Sequence, residues 1–141
     1  MADLRERILD IIGEPNMTGF ATVTESGAPW VRYVMSAASE DLTIRFSTFV
    51  DSRKVSHISK DPRVHLVCGV TDPEEWSNYL QIAGTAEVVT DIDEKKAFWN
   101  PELEHFFDGP EDPNYAVVRV NPSRIELYGR EDLQPEVWTA D

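Results

Sequence analysis

The 141-residue sequence contains a single cysteine, Cys68, which excludes a disulfide framework and a cysteine-rich metal cage. It also lacks long hydrophobic runs, and no window approaches the roughly 18 unbroken apolar residues that a membrane-spanning helix requires. The N-terminus is charged from Asp3 onward and has no apolar segment of the kind found in signal peptides. From these absences we expect a cytoplasmic protein without a membrane partner.

Basic residues are scarce: 13 Lys and Arg stand against 26 Asp and Glu, which gives a net charge of −13 at pH 7. This balance argues against nucleic acid or an anionic membrane surface as a partner. The basic residues are also concentrated, because residues 45–63 hold five of them against two acidic residues. They either neutralise acidic residues that fold against them or gather for another purpose, and composition does not choose between the two.

Alternating apolar residues and turn signals predict a mainly β protein with a few short helices. The predicted strands are 18–24, 29–37, 42–48, 63–70, 79–90, 115–121 and 124–128. The predicted helices are 3–12, 52–60 and 91–107, the last broken at Asn100-Pro101. Closing antiparallel strands into a barrel removes exposed edges, so we predict one barrel domain spanning residues 1–141. Its N-terminal helix falls within residues 1–13, and residues 129–141 form an acidic tail that we expect to be loosely ordered unless Trp138 docks.

Familiar catalytic motifs are absent, including GxSxG, HExxH, a P-loop and CxxC. The three histidines, His57, His65 and His105, are widely spaced, and we interpret them as surface or core residues rather than metal ligands. Cys68 alternates with apolar residues of a predicted strand and is interpreted as a small buried hydrophobe. We therefore predict no catalytic side chain and no metal site, and any redox chemistry has to come from a cofactor.

One segment, FSTFVDSRK at positions 46–54, ends a strand, turns and opens a helix with Arg53 and Lys54 in its first turn. Each cation is placed unfavourably there by roughly 0.3–1 kcal/mol, because a helix N-terminus carries partial positive charge. An anion would reverse that cost by binding the free helix amides, both cations and nearby hydroxyl groups. Those hydroxyl groups belong to Ser47, Thr48 and Ser52. In the alternative, Asp51 or Ser52 is an ordinary N-cap and both cations point to solvent.

A family pattern is carried by the stretches GAPWVRYVMSA, FSTFVDSRKVSHISKDPRVHLV and YLQIAGTAEVV. They resemble the FMN-binding split barrels related to pyridoxamine 5′-phosphate oxidase. The later stretch FWNPELEHFFDGPEDPNYAVVRVNPSRIELY resembles the general stress protein branch of that superfamily. The resemblance runs from about Thr18 to Tyr128. It implies a homodimer of six-stranded antiparallel split barrels, with one FMN in each of two clefts at the subunit interface.

The resemblance also implies which residues contact FMN. The matching positions are Arg32, Tyr33, Val34, Met35, Ser47, Thr48, Ser52, Arg53, Lys54, Tyr79 and Trp99. In the family, the strand that begins at the matching arginine runs along the isoalloxazine, and the Ser-Arg-Lys sequence holds the phosphate. Tyr79 matches a position that reaches the flavin from the partner subunit. Trp99 either covers the flavin ring or is a core aromatic of the later helix.

Aromatic residues exceed what one small barrel needs, so we predict that several line the subunit contact. These are Trp76, Tyr79, Phe98, Trp99, Phe106 and Phe107.

Two departures bear on activity. The oxidase has a phosphate-binding lysine where this chain has Ala37, and nothing after Tyr128 matches the substrate-binding segment of the oxidase. We therefore do not expect pyridoxamine phosphate oxidase activity. The leading hypothesis is an FMN-dependent oxidoreductase acting on an unidentified small molecule. The alternatives are a protein that holds FMN without turnover, as a reservoir or redox sensor, and the same fold binding a deazaflavin or haem.

Overall fold

The computed structural model describes residues 2–74, 78–129 and 133–141. The helices are α1 (Leu4–Ile12), α2 (Arg53–Lys60), α3 (Ile92–Phe98) and a 3-10 helix (Pro101–His105). The strands are β1 (Asn16–Val23), β2 (Pro29–Ala38), β3 (Ile44–Phe49), β4 (Arg63–Cys68), β5 (Asn78–Val89), β6 (Tyr115–Gly129) and β7 (Glu136–Thr139). Within the described residues, no helix has the length and apolar character needed to cross a membrane.

The strands form one antiparallel sheet in the order β3-β2-β1-β4-β5-β6-β7, and an additional pairing of β3 with β6 closes the first six strands into a barrel. Closure runs over six residue pairs, from Ile44 opposite Val120 to Phe49 opposite Tyr115. The predicted fold class, a mainly β six-stranded antiparallel split barrel with short helices, is confirmed.

The barrel is filled by apolar side chains that alternate along the strands. Phe20 and Phe46 are both 0% exposed and meet edge to face, with ring centroids 4.8 Å apart. Helix α1 adds its buried Ile8 and Ile12 to this core. A second, smaller cluster of Leu103, Phe107, Tyr115 and Val117 lies beneath α3 and the 3-10 helix. Strand β6 is therefore buried on both faces over residues 115–118.

The prediction of two separate strands at 115–121 and 124–128 is wrong, because β6 is one 15-residue strand. Asn121-Pro122 has the composition of a turn, but the chain instead bends through a bulge opposite Gly84. A Cβ on Gly84 would lie 2.5 Å from the Asn121 carbonyl oxygen, so the bend needs a residue without a side chain here. The hydroxyl of the bulged Ser123 donates to the Ala83 carbonyl at 3.1 Å.

Leu42, predicted to begin a strand, instead lies in the β2–β3 turn with a left-handed backbone, φ 69°. Its side chain is 0% exposed, so burial holds a conformation that a leucine rarely adopts. The Asp41 carboxylate reinforces the turn by accepting from the Ser39 hydroxyl and the Thr43 amide.

The expectation of a loosely ordered tail is wrong for residues 136–139, which form β7 beside β6. Trp138 packs against the barrel core, and Arg7 of α1 forms an ion pair with Glu136. A single tryptophan therefore did signal docking of the tail.

Candidate functional site

The barrel is split between β2 and β3. These strands pair only through Ala37 with Arg45 and Ala38 with Ile44. Beyond that point β2 continues alongside β1 and β3 alongside β6, so the two strands diverge. The facing edges of residues 32–36 and 46–49 thus keep backbone groups that no neighbouring strand uses. Such groups can bind an elongated ligand through the main chain.

Helix α2 begins at the open end of this split. Ser52 occupies its N-cap position but makes no side-chain cap bond to the helix, and no acidic residue lies in the first turn. The Ser52 hydroxyl instead lies 2.9 Å from the Thr48 hydroxyl, to which the Lys54 ammonium donates at 3.0 Å. The Val55 amide donates to the Ser52 carbonyl at 3.2 Å, so the amides of Arg53 and Lys54 are the ones in the first turn that remain available to an anion.

Arg32 enters the same region from β2. Its guanidinium donates to the Thr22 hydroxyl at 2.8 Å and to the carbonyl oxygens of Phe20 and Trp30 at 3.2 and 3.3 Å. The Arg53 guanidinium lies over the Trp30 ring, 5.3 Å from its centroid. Both arginines are thus held at the open end of the split by contacts that bring no negative charge to their guanidinium groups.

The charges of this group act on one another. Burial, followed by the charge of Arg53, lowers the pKa of Arg32. Burial, followed by the charge of Arg32, lowers the pKa of Lys54. Like charges in a partly desolvated site repel, so a bound anion would relieve this repulsion.

The basic segment 45–63 divides into two classes. Three of its residues pair with carboxylates, as the neutralising interpretation expects. These are Arg45, Lys60 and Arg63. Arg53 and Lys54 form no ion pair with any carboxylate in the described part of the chain, and neither does Arg32. Three cations that pair with none of the described carboxylates therefore meet at one place in a protein of net charge −13.

A cleft of about 610 Å³ opens near the closed end of the split. This volume is in the usual range for small-molecule sites, roughly 300–1,000 Å³. Met35, Ala37 and Ser47 line it from the strands, and Phe98 and Phe106 line it from the covering helices. The cluster of cations and the apolar cleft therefore lie along the same two strands, β2 and β3.

The remaining predicted site residues have different environments. The Tyr33 side chain is 77% exposed on the outer face of β2, whereas Val34 is 8% exposed and belongs to the barrel core. Trp99 packs on the second core cluster, with its ring centroid 5.5 Å from that of Tyr115. Tyr79 stacks on Tyr128 near the start of β5. Helix α2 lies at the far end of β5, where the Ala86 amide donates to the Pro62 carbonyl. The strand register places Arg32, Phe20, Leu66 and Ile82 in one row, so β1 and β4 lie between β2 and the strand that carries Tyr79.

Arg32, Arg53 and Lys54, together with Thr22 and His57, are called the cation group. Sequence reasoning missed the last two of these residues. The Thr22 hydroxyl, 2% exposed, links Arg32 to His57, whose Nδ1 lies 2.8 Å from it. The spacing carried a signal: His57 follows Arg53 by four residues, which places both on one face of α2.

Groups with other possible chemistry contribute little. Burial raises the pKa of the Cys68 thiol to about 12, so this cysteine is not a nucleophile near neutral pH. Among the described residues, no group of three or more His, Cys, Asp or Glu side chains is placed to hold a metal ion. Among the residues that the structure describes, Glu102 is the one ionisable side chain lining the cleft.

A closed six-stranded barrel with a ligand-sized cleft along its split defines the class of split-barrel proteins. The family model of pyridoxamine 5′-phosphate oxidase matches residues 4–129, and the chain belongs to this family.

Its relatives include stress proteins. General stress protein 26 of Bacillus subtilis (strain 168) is 29% identical over 133 residues, which cover 94% of this chain and 94% of that protein. The crystal structure of general stress protein 26 from Bacillus anthracis has a TM-score of 0.83 at 28% identity, with 97% of this chain and 98% of that chain covered. The resemblance to the general stress protein branch is confirmed. A haem-binding protein from Mycobacterium smegmatis shares the fold at a TM-score of 0.78 and 16% identity, covering 99% of this chain and 59% of that one.

Proposed function

We propose that the protein binds FMN in the split between β2 and β3 and is an FMN-dependent oxidoreductase for an unidentified small molecule. The carrying observation is the convergence of Arg32, Arg53 and Lys54, none of which pairs with a described carboxylate. A phosphate monoester supplies the missing negative charge and accepts hydrogen bonds from cations and helix amides alike.

The remainder of the split suits the flavin ring. The diverging edges of residues 32–36 and 46–49 offer backbone groups to its polar rim, and the cleft beside Met35 and Ser47 offers apolar walls. Bound FMN would supply hydride transfer, while this chain orients the ring and limits access of water to it. The cation group lies at the open end of the split, beside Arg32 and Thr48, and the cleft lies near the closed end. We therefore expect the phosphate at the open end and the flavin ring at the closed end.

A comparison of FMN with riboflavin tests this assignment, because riboflavin lacks only the phosphate. We expect purified protein to bind FMN about 100-fold more tightly than riboflavin, which corresponds to ~2.7 kcal/mol. Quenching of flavin fluorescence measures both affinities, and haemin titrated into the same protein tests the haem alternative. Equal affinities for FMN and riboflavin, or binding of haemin alone, would contradict the proposal.

We also propose a homodimer, formed across the outer face of β2, β1 and β4. Apolar side chains are exposed along this face, namely Met17 (51%), Val31 (65%), Tyr33 (77%), Met35 (52%) and Val67 (44%). The strand register places Met17 opposite Met35, and Gly19 opposite both Tyr33 and Val67, so the residues form one continuous patch. An apolar patch of this kind is typical of a protein interface.

This face differs from the contact expected from the aromatic residues. Trp76 lies outside the described residues, and Phe107 is 4% exposed within the second core cluster. Phe98 and Trp99 also pack against that cluster, and Phe106 lines the cleft. A second subunit would nevertheless bring Tyr79 to an FMN site in the way that the family resemblance implies.

Sedimentation tests the dimer. We expect wild-type protein to be a dimer at micromolar concentration and Val31→Asp/Tyr33→Asp to be a monomer, because four buried carboxylates would be left without partners. The control is Leu133→Asp, at an apolar side chain that is 89% exposed outside this face. A wild-type monomer with FMN bound would refute the dimer, and a dimeric double variant would place the interface elsewhere.

A second function, FMN binding without turnover, is favoured by one observation. Glu102 is the one ionisable residue that lines the cleft in the described part of the chain, so the cleft offers little acid–base assistance to a substrate. Reduction of bound FMN by NADH or NADPH, followed by reoxidation by small quinones, distinguishes the two: an enzyme turns over repeatedly, whereas a reservoir or sensor does not.

A further inference from the structure

His57 belongs to the cation group, and its hydrogen bonds define its state. The Arg32 guanidinium, which has only donors, lies with one nitrogen 2.8 Å from the Thr22 hydroxyl and the other 3.5 Å from Nδ1 of His57. Nδ1 also lies 2.8 Å from the same hydroxyl. This arrangement fits a neutral imidazole whose Nδ1 accepts a hydrogen bond from Thr22.

We propose that His57 is a further residue of the phosphate site, which takes up a proton at Nδ1 when the phosphate binds. This inference rests on the proposed FMN site and deepens it. Without an anion, a protonated His57 would add a positive charge beside Arg32 and Arg53. A bound phosphate reverses the sign of that interaction, and the charged imidazole becomes the favoured form.

The surrounding charges favour a neutral His57 when no anion is bound. Burial, then the charges of Arg32 and Arg53, lower the pKa of His57. Other charged groups lie on the elements packed against it, and most are compensated. These are Lys54 of α2 itself, Lys60 paired with Glu25, Asp61 paired with Arg63, and Glu87 of β5 paired with Arg119. None of the described carboxylates forms an ion pair with His57, so an incoming phosphate is its available counter-charge.

Protonation does not dismantle the site. Thr22 has two lone pairs, so its hydroxyl can accept from Arg32 and from protonated Nδ1 together. Arg32 also retains the carbonyl oxygens of Phe20 and Trp30 as acceptors. The contribution of His57 to FMN affinity should therefore rise as pH falls through the range in which His57 titrates.

The experiment measures FMN and riboflavin binding to wild-type protein and to His57→Gln from pH 8 to pH 5.5. Glutamine can accept the Thr22 hydrogen bond but cannot take up a proton. The ionisation of the FMN phosphate affects both proteins equally, so the ratio of their affinities isolates His57. We expect the ratio of wild-type to variant affinity for FMN to be higher at pH 5.5 than at pH 8, by at most about tenfold if bound FMN raises the His57 pKa by one.

Nuclear magnetic resonance of the His57 imidazole gives a second measurement that needs no variant to fold. Its titration midpoint should move to higher pH when FMN is added, and riboflavin should leave it nearly unchanged. A constant affinity ratio, or a midpoint that FMN does not raise, would overturn the role of His57 while leaving FMN binding intact. Equal binding of FMN and riboflavin by wild type at pH 8 would instead refute the phosphate site itself.

Discussion

Lys54→Ala and Arg53→Ala are each expected to weaken FMN binding by about 10- to 150-fold while leaving riboflavin binding nearly unchanged. A hydrogen bond to a charged group contributes roughly 1.5–3 kcal/mol, and Lys54 lies in a partly desolvated region. Lys54 is also held by Thr48 at 3.0 Å, so its ammonium loses little freedom on binding. Fluorescence titration of both ligands into each variant measures the effect.

The matched control is Lys96→Ala, because Lys96 is an exposed lysine that pairs with Glu111 at 3.7 Å and does not line the cleft. Lys95, its neighbour on α3, does not serve: it is 6% exposed and its ammonium donates to the Asp112 carbonyl at 3.1 Å. If both site variants lost FMN and riboflavin equally, their cations would contact the ring rather than the phosphate. Unchanged FMN affinity would show that neither residue contacts bound FMN.

Phe20→Ala should reduce the free energy of unfolding by roughly 3–5 kcal/mol, a large part of the ~5–15 kcal/mol of a typical domain. Phe20 is 0% exposed and packs on Phe46, so truncation leaves a cavity in the middle of the barrel. The Arg32 guanidinium lies 5.9 Å from the Phe20 ring centroid, so the same cavity removes a support of the cation group. Urea denaturation of the FMN-free protein, at fixed protein concentration, measures the loss.

Leu133→Ala provides the control for Phe20→Ala. Leu133 is 89% exposed, so its truncation should change stability by no more than about 0.5 kcal/mol. Phe20→Leu adds information about function, since it keeps most of the apolar volume but removes the ring below Arg32. A Phe20→Ala variant as stable as Leu133→Ala would show that the barrel interior is not packed as described.

The sequence was sufficient for those parts of the fold that depend on local pattern. Alternation of apolar residues located the strands, and the Ser52-Arg53-Lys54 sequence located the start of α2 to within a residue. The sequence was insufficient where a residue distant in the chain determines the local backbone conformation. Asn121-Pro122 has the composition of a turn, and only Gly84 on the neighbouring strand permits a bulge instead.

The site shows the same limit. Arg45 and Arg53 belong to one basic segment, yet the first pairs with Glu94, 49 positions away, and the second with no described carboxylate. That difference arises from tertiary packing, so it cannot be predicted from the number of charged residues in the segment. The exposed patch around Tyr33 was readable in part, because β2 carries apolar residues on both of its faces. That pattern is more informative about an interface than the total number of aromatic residues.

The split between β2 and β3 has a consequence for the lifetime of the protein in a cell. A barrel left unpaired along one seam lacks part of the strand-to-strand bonding that a complete barrel has. Under the proposed function, FMN completes that seam, and its binding adds about 2.7 kcal/mol of stability when free FMN is at 100 times its Kd. Resistance to heat and to proteolysis would then rise and fall with the supply of flavin. The amount of folded protein would itself report on the nutritional state of the cell.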